Sequence, residues 1–243
     1  MTLPIEIIHF VDEIRNNRYF QREVRFVQEG LGVELPFANF FKDYVPKEEW
    51  FYRHNTGVHD ISHETRVLVL SEIIGRLVRK KREVLVDMKS IRWAAITHDT
   101  QRTGEGSNYE HGVKAAEWVQ SNAHRIIPHD CDSRGEEVNI DQVAYLNKWH
   151  VPHDSEAPVM TLELSILKDA DGLDRVRVGE LNPVYLRTEE ATRIVFVAYG
   201  LYVVSNALQQ RDQHQQHHFG EYASVIEAAT LLGIVKRSTL GRE

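Results

Sequence analysis

The chain has 243 residues, 42% of them hydrophobic and 27% charged, with a formal net charge of -7. That length suffices for a buried core in one large domain or two small ones, and the composition is that of a soluble globular protein. The negative balance disfavours nucleic acid and anionic membrane as partners, no run approaches the ~18 apolar residues of a membrane span, and a single cysteine, Cys131, excludes an intrachain disulfide.

In chain order, the opening segment "MTLPIEIIHFVDEIRNN" carries acidic residues inside its apolar stretch and has no basic leader. It does not read as a signal peptide, and a cytoplasmic protein is expected. Ile5, Ile8 and Val11 or Asp12, followed by Phe20, Val24 and Val27, predict two opening helices or one continuous helix, ended by Gly30 and Gly32. The aromatic-rich stretch "VELPFANFFKDYVPKEEWFYRHNTG", with its two prolines, predicts irregular structure laid on the core.

In "HDISHETRVLVLSEIIGRLV", the residues Val67, Leu70, Ile73 or Ile74, and Leu77 form one apolar face at helical spacing. Asp60 is the expected N-cap, which puts His63 in the first turn. The basic run "RLVRKKRE", Arg76 to Glu83, reads as the solvated end of that helix. Further helices are predicted in "DMKSIRWAAITHD", opened by Asp87 or Ser90, and in "NYEHGVKAAEWVQSNAHRII" and "NIDQVAYLNKWH". The same holds for "APVMTLELSILKDADGLDRVR", "RTEEATRIVFVAYGLYVVSNALQQ" and "ASVIEAATLLGIV". No alternating strand pattern of useful length, internal repeat or Gly/Ser linker divides these segments, so the expectation is one all-α domain over residues 1–243.

Chemistry enters where "AAITHD" ends its apolar run. His98 lies seven residues after Ile91 and shares the core-facing side, and at a helix end the adjacent Asp99 can converge on the same point. A buried carboxylate needs a partner, and a metal ion would satisfy both residues. His63 begins the inner face that continues through Val67 and Leu70; His59, four residues earlier, competes for the same role. Asp171 follows Leu164 and Leu167 at i, i+3, i+7 spacing, so a carboxylate stands where that face would carry an apolar residue. His63, His98, Asp99 and Asp171 thus form a candidate metal site. Its mixed imidazole and carboxylate ligands suit manganese, iron, zinc or magnesium without choosing among them.

The segments "HDISHETRV", "AAITHD" and "LKDADGLDRVR" resemble, in order and helical context, the signature of the HD superfamily of metal-dependent phosphohydrolases. The resemblance covers about residues 50–200. It implies an all-α fold, the same four residues as metal ligands, and hydrolysis of a nucleotide or related phosphate ester, as a phosphodiesterase or phosphomonoesterase. It also implies a metal-activated water and Asp99 as a catalytic group. Some members add two histidines and bind two ions. Here His111 and His150 are the candidates, with His153 as the alternative to His150, and contact with substrate as the alternative role. A di-iron oxygenase of the same superfamily and a non-catalytic nucleotide-binding protein are the competing readings.

Three arginines stand close after proposed ligands: Arg66 follows His63, Arg102 follows Asp99 and Arg175 follows Asp171. A planar guanidinium suits bidentate phosphate binding, so these three are expected to bind substrate, with Lys168 a weaker candidate. His214, His217 and His218 have ligand-like spacing but lie among glutamines and read as an exposed polar helix.

Overall fold

A computed structural model describes residues 5–52, 59–104, 109–127, 137–212 and 220–238. Cys131, His214, His217 and His218 lie outside the described residues. The fold is all-α: among the described residues the only extended pairing is an isolated bridge between Phe37 and Lys236, which ties the aromatic loop to the C-terminal segment. No described helix is long and apolar enough to cross a membrane.

The opening pair is α1 (Ile5–Asn16) and α2 (Arg18–Leu31). The two are not continuous, because the Asn17 side chain turns back to accept from the backbone N–H groups of Tyr19 and Phe20 and caps α2. Three short 3-10 turns, Gly32–Glu34, Ala38–Asp43 and Glu48–Trp50, carry the aromatic loop across the core.

The central helix is α3 (Ile61–Arg82), capped by Asp60, whose carboxylate accepts from His63 N–H at 2.9 Å. Nearly every residue from Ser62 to Val78 is buried, polar ones included, so α3 runs through the middle of the protein. Around it pack α2, α4 (Met88–Ala95), α7 (Leu162–Asp174) and α10 (Glu221–Leu231). Asp87, not Ser90, caps α4, accepting from Ser90 N–H at 3.0 Å.

A second layer is the close pair α5 (Glu110–Ile126) and α6 (Ile140–Trp149). Their approach requires a glycine at position 112, where a Cβ would lie 2.7 Å from the carbonyl oxygen of Asn147. The long apolar stretch before α10 is divided in two, α8 (Glu189–Thr192) and α9 (Val195–Asp212). The break is fixed from a distance: the buried Glu23 of α2 accepts from the N–H groups of Phe196 and Val197 at 2.6 and 3.1 Å, supplying the cap that α9 lacks locally. Burial pushes the Glu23 pKa up to about 7 against those two hydrogen bonds. One continuous apolar cluster, from Val11 to Val235, forms the core.

Candidate metal centre

Three elements deliver the site. The first turn of α3 carries His63; α4 ends at Ala95, and the turn after it holds His98 and Asp99; the last turn of α7 carries Asp171. That middle turn is pinned from several sides. Thr97 Oγ1 donates to Trp93 O and accepts from Asn147 Nδ2 of α6 at 2.9 Å, and Asp99 N–H donates to Glu64 Oε1 at 3.1 Å.

The ring nitrogens that would face an ion are left bare. His63 Nε2 and His98 Nε2 are fully buried and have no hydrogen-bond partner. His63 Nε2 lies 3.6 Å from Asp99 Oδ2 and 3.5 Å from Asp171 Oδ1, and His98 Nε2 lies 4.0 Å from the same Asp171 oxygen. Ligand atoms at about 2.1 Å from a shared ion stand roughly 3 to 3.5 Å apart, so these separations need only slight closure to hold one. Unpartnered buried nitrogens facing carboxylate oxygens are the donor set a divalent cation requires, and the residues fit it.

Asp99 faces two directions. Its Oδ2 lies 2.5 Å from His59 Nδ1, on the His63 side, while Oδ1 lies 2.8 Å from His111 Nε2 and 3.4 Å from His150 Nε2. His111 and His150 meet at 3.1 Å between their Nε2 atoms, brought together by the α5–α6 contact. Three overlapping groups could therefore hold a cation: His59–His63–Asp99, His63–His98–Asp171 and His98–Asp99–His150. His59 and His63, alternatives in the sequence, both reach the cluster. His153 does not; it is exposed and caps the 3-10 turn Asp154–Glu156.

Behind the inner ring stand carboxylates absent from the sequence reading. Asp174 Oδ2 accepts from His63 Nδ1 at 2.8 Å, and Glu64 Oε2 lies 2.8 Å from His98 Nδ1, which also donates to Ala95 O. Asp174 accepts from His63 Nδ1 and the Ala95 carbonyl from His98 Nδ1, which turns each Nε2 inward as partners of metal-ligating histidines do, and the Glu64 carboxylate sets its charge beside the His98 ring. No periodicity could have signalled Glu64, because α3 is buried almost all round from Ser62 to Val78 and its polar residues there carry no facial pattern; Asp174 is the last residue of α7.

The electrostatics are those of a site short of positive charge. Burial opposes protonation of His98, yet Glu64 and Asp99 lift its pKa to about 10. Burial drives His150 down to about 4, leaving it neutral. Against burial, Asp99 is held well below the usual carboxylate range by His98 and by the close imidazoles of His111, His150 and His59. Asp171 is held down by His98 and His63. A proton on His98 thus balances carboxylates that a cation would otherwise balance, and metal binding would release it.

The arginines divide. Arg66 does not reach a position for phosphate: its Nε and Nη2 donate to Asp174 at 2.6 and 3.0 Å, and the side chain is buried. Arg102 lies at the edge of the cluster, with Nη1 3.3 Å from His111 Nε2 and 3.7 Å from Asp99 Oδ2. Arg175 points away, half exposed and paired with Glu180. Arg177 is turned in instead, with Nη2 3.1 Å from His59 Nδ1 and Nη1 3.5 Å from Asp174. Lys168 is buried and donates to Pro152 O and Asp154.

The centre opens on one side. Asp171, 28% exposed, and His150 line a cleft of about 390 Å³ between α7 and the segment Glu180–Arg187. Comparison with protein-family models, curated proteins and solved structures found no match.

The Glu64 carboxylate gives a first expected result. In Glu64→Gln the amide still fits and still accepts from Asp99 N–H, but the charge behind His98 is gone. Metal affinity should fall about tenfold to a hundredfold with helical content unchanged. Competition with a chromophoric chelator checks it, and unaltered affinity would make Glu64 a packing residue only.

Proposed function

We propose that the chain is a metal-dependent phosphohydrolase of the HD superfamily, acting on a nucleotide or another phosphate ester. One observation carries this reading: the two bare, buried Nε2 atoms of His63 and His98 face carboxylate oxygens of Asp99 and Asp171, and Asp171 itself lines an open cleft. His63, His98, Asp99 and Asp171 would hold one ion, and Asp99, His111 and His150 a second. Manganese, iron, zinc and magnesium all suit these donors. A bound divalent ion supplies an acidified water near neutral pH and polarises a phosphoryl oxygen.

The protein groups have separate tasks. Asp99 orients the attacking water and can take up its proton. Arg102 and Arg177, both beside the cluster, supply guanidinium donors for nonbridging phosphoryl oxygens. Arg66 acts through Asp174 on His63. Packing of α5 on α6 buries His111.

The test is metal analysis of protein purified without added chelator, followed by a panel of phosphomonoesters and phosphodiesters, nucleotides included, with the metal found. Hydrolysis that stops on chelation supports the reading; absence of hydrolysis across the panel, or turnover by metal-free protein, overturns it. Oxygen consumption on an unphosphorylated substrate with two irons bound would favour the oxygenase branch, which uses the same histidines. In the two-ion form, His111→Ala or His150→Ala is expected to lower the ion count from about two to about one while the His63 side stays loaded. Unchanged stoichiometry in both variants would return the two histidines to substrate contact.

A further inference from the structure

The cleft wall beyond Asp171 has a chemistry of its own. Lys168 stands one helical turn before Asp171 on the same face of α7, and its side chain is only 3% exposed. A lysine ammonium this buried is rarely found without acceptors, and here there are two: Nζ donates to Pro152 O at 2.5 Å and to Asp154 Oδ1 at 2.8 Å. The third N–H has no acceptor.

Arg187 reaches the same aspartate from the opposite side. Its Nη2 donates to Asp154 Oδ1 and its Nε to Asp154 Oδ2, both at 2.8 Å, while Nη1 donates to Tyr185 O and Asp169. One N–H of Nη2 is left over. Two cations are therefore drawn together on one carboxylate oxygen, each with one donor to spare.

Both cations line the cleft, and Asp154, which holds them, lies outside that lining. Of the other charged groups in the lining, Asp171 belongs to the candidate centre and Glu180 is matched by Arg175. Lys168 and Arg187 stand in the lining as its cationic donors, with Asp154 and the buried Asp169 balancing their charge behind it. The geometry of the two cations is fixed before any ligand arrives, since Arg187 and Lys168 hold the Asp154 pKa down to about 2 and the pairing persists across the physiological range.

We infer that Lys168 and Arg187 form an oxyanion subsite for a second anionic group of the substrate, a carboxylate or a further phosphate, carried beside the phosphate that faces Asp171. This rests on the proposed function for its first phosphate. The spare N–H groups supply charge-assisted hydrogen bonds, and the immobilised pair loses little freedom on binding. A substrate class follows: phosphate esters bearing a second anion within about one helical turn, ~5 Å, of the phosphate, in preference to esters of neutral alcohols.

Two probes that differ only at that position isolate the effect: glycerol 3-phosphate and 3-phosphoglycerate, titrated calorimetrically into the metal-loaded protein. The carboxylate-bearing ester should bind about tenfold to a hundredfold more tightly. In Lys168→Met, which keeps the aliphatic stem and leaves Arg187 on Asp154, the preference should collapse to within about twofold. Metal content should stay as in the unaltered protein, and affinity for glycerol 3-phosphate should fall far less than affinity for 3-phosphoglycerate. Arg187→Lys is the second variant, should Lys168→Met fold poorly, and should also shrink the preference. Equal binding of the two probes by the unaltered protein, or a preference that survives both variants, overturns the subsite. The readout is binding, so it fails separately from the hydrolase reading. A protein that hydrolyses phosphoesters but binds both probes alike loses only the subsite. One that prefers 3-phosphoglycerate through Lys168 but turns over no ester loses only the hydrolase.

Discussion

Asp99→Ala is expected to empty the candidate centre on both sides and to abolish hydrolysis. The two oxygens of Asp99 face the two halves of the cluster, Oδ2 toward His59 and His63 and Oδ1 toward His111 and His150. Removing it takes a ligand from each half at once, where His111→Ala takes one from a single half. Turnover should fall by at least about 10³-fold, since the acidified water and its proton acceptor are lost together. The turn itself should survive, because its link to Glu64 runs through the backbone N–H of residue 99, which alanine retains. Elemental analysis, turnover and circular dichroism on the same preparation separate the outcomes. Robust turnover or full metal content in Asp99→Ala would sink the hydrolase mechanism; loss of helical content would show Asp99 to be a folding residue.

The helices were legible because apolar residues recur along them at 3.6-residue spacing, and caps such as Asp60 and Asp87 stand at the starts of α3 and α4. The break between α8 and α9 was not, because its cause is Glu23, far away in sequence and on another helix. His63, His98, Asp99 and Asp171 were legible as polar residues interrupting apolar faces, and the structure brings them to one point. His111 and His150 join them only through the Gly112 contact, which no spacing reveals.

The arginines show where offset reasoning stops. Arg66 sits one turn from His63, as expected, but its partner Asp174 is an acid on another helix. Arg175 was placed as if α7 continued. Instead α7 ends at Asp174 and tightens into a 3-10 turn, Arg175–Val178, in which successive side chains step by about 120° rather than 100°. Arg175 then turns toward Glu180, and Arg177 turns toward His59 and Asp174.

That pairing changes what Arg66 is expected to do. Arg66→Met should destabilise the protein by about 3–5 kcal/mol, because it leaves the fully buried Asp174 without its bidentate partner. For a chain of this length that is a fall of roughly 6–20 °C in Tm. Some compensation remains, since Asp174 keeps His63 Nδ1 at 2.8 Å and Arg177 at 3.5 Å, so the lower part of the range is expected. The double variant Arg66→Met/Asp174→Leu buries neither charge and should recover much of the lost stability. It should not recover metal affinity, because His63 Nδ1 then has no acceptor and nothing fixes its ring with Nε2 inward. Thermal melts of the metal-free proteins and chelator competition therefore move apart in the double variant, which a purely structural pair would not produce. A phosphate-binding Arg66 predicts the reverse: Arg66→Met with native Tm and full metal content, and a raised KM for phosphate esters. Observation of that pattern would return Arg66 to the substrate and leave Asp174 to orient His63 alone.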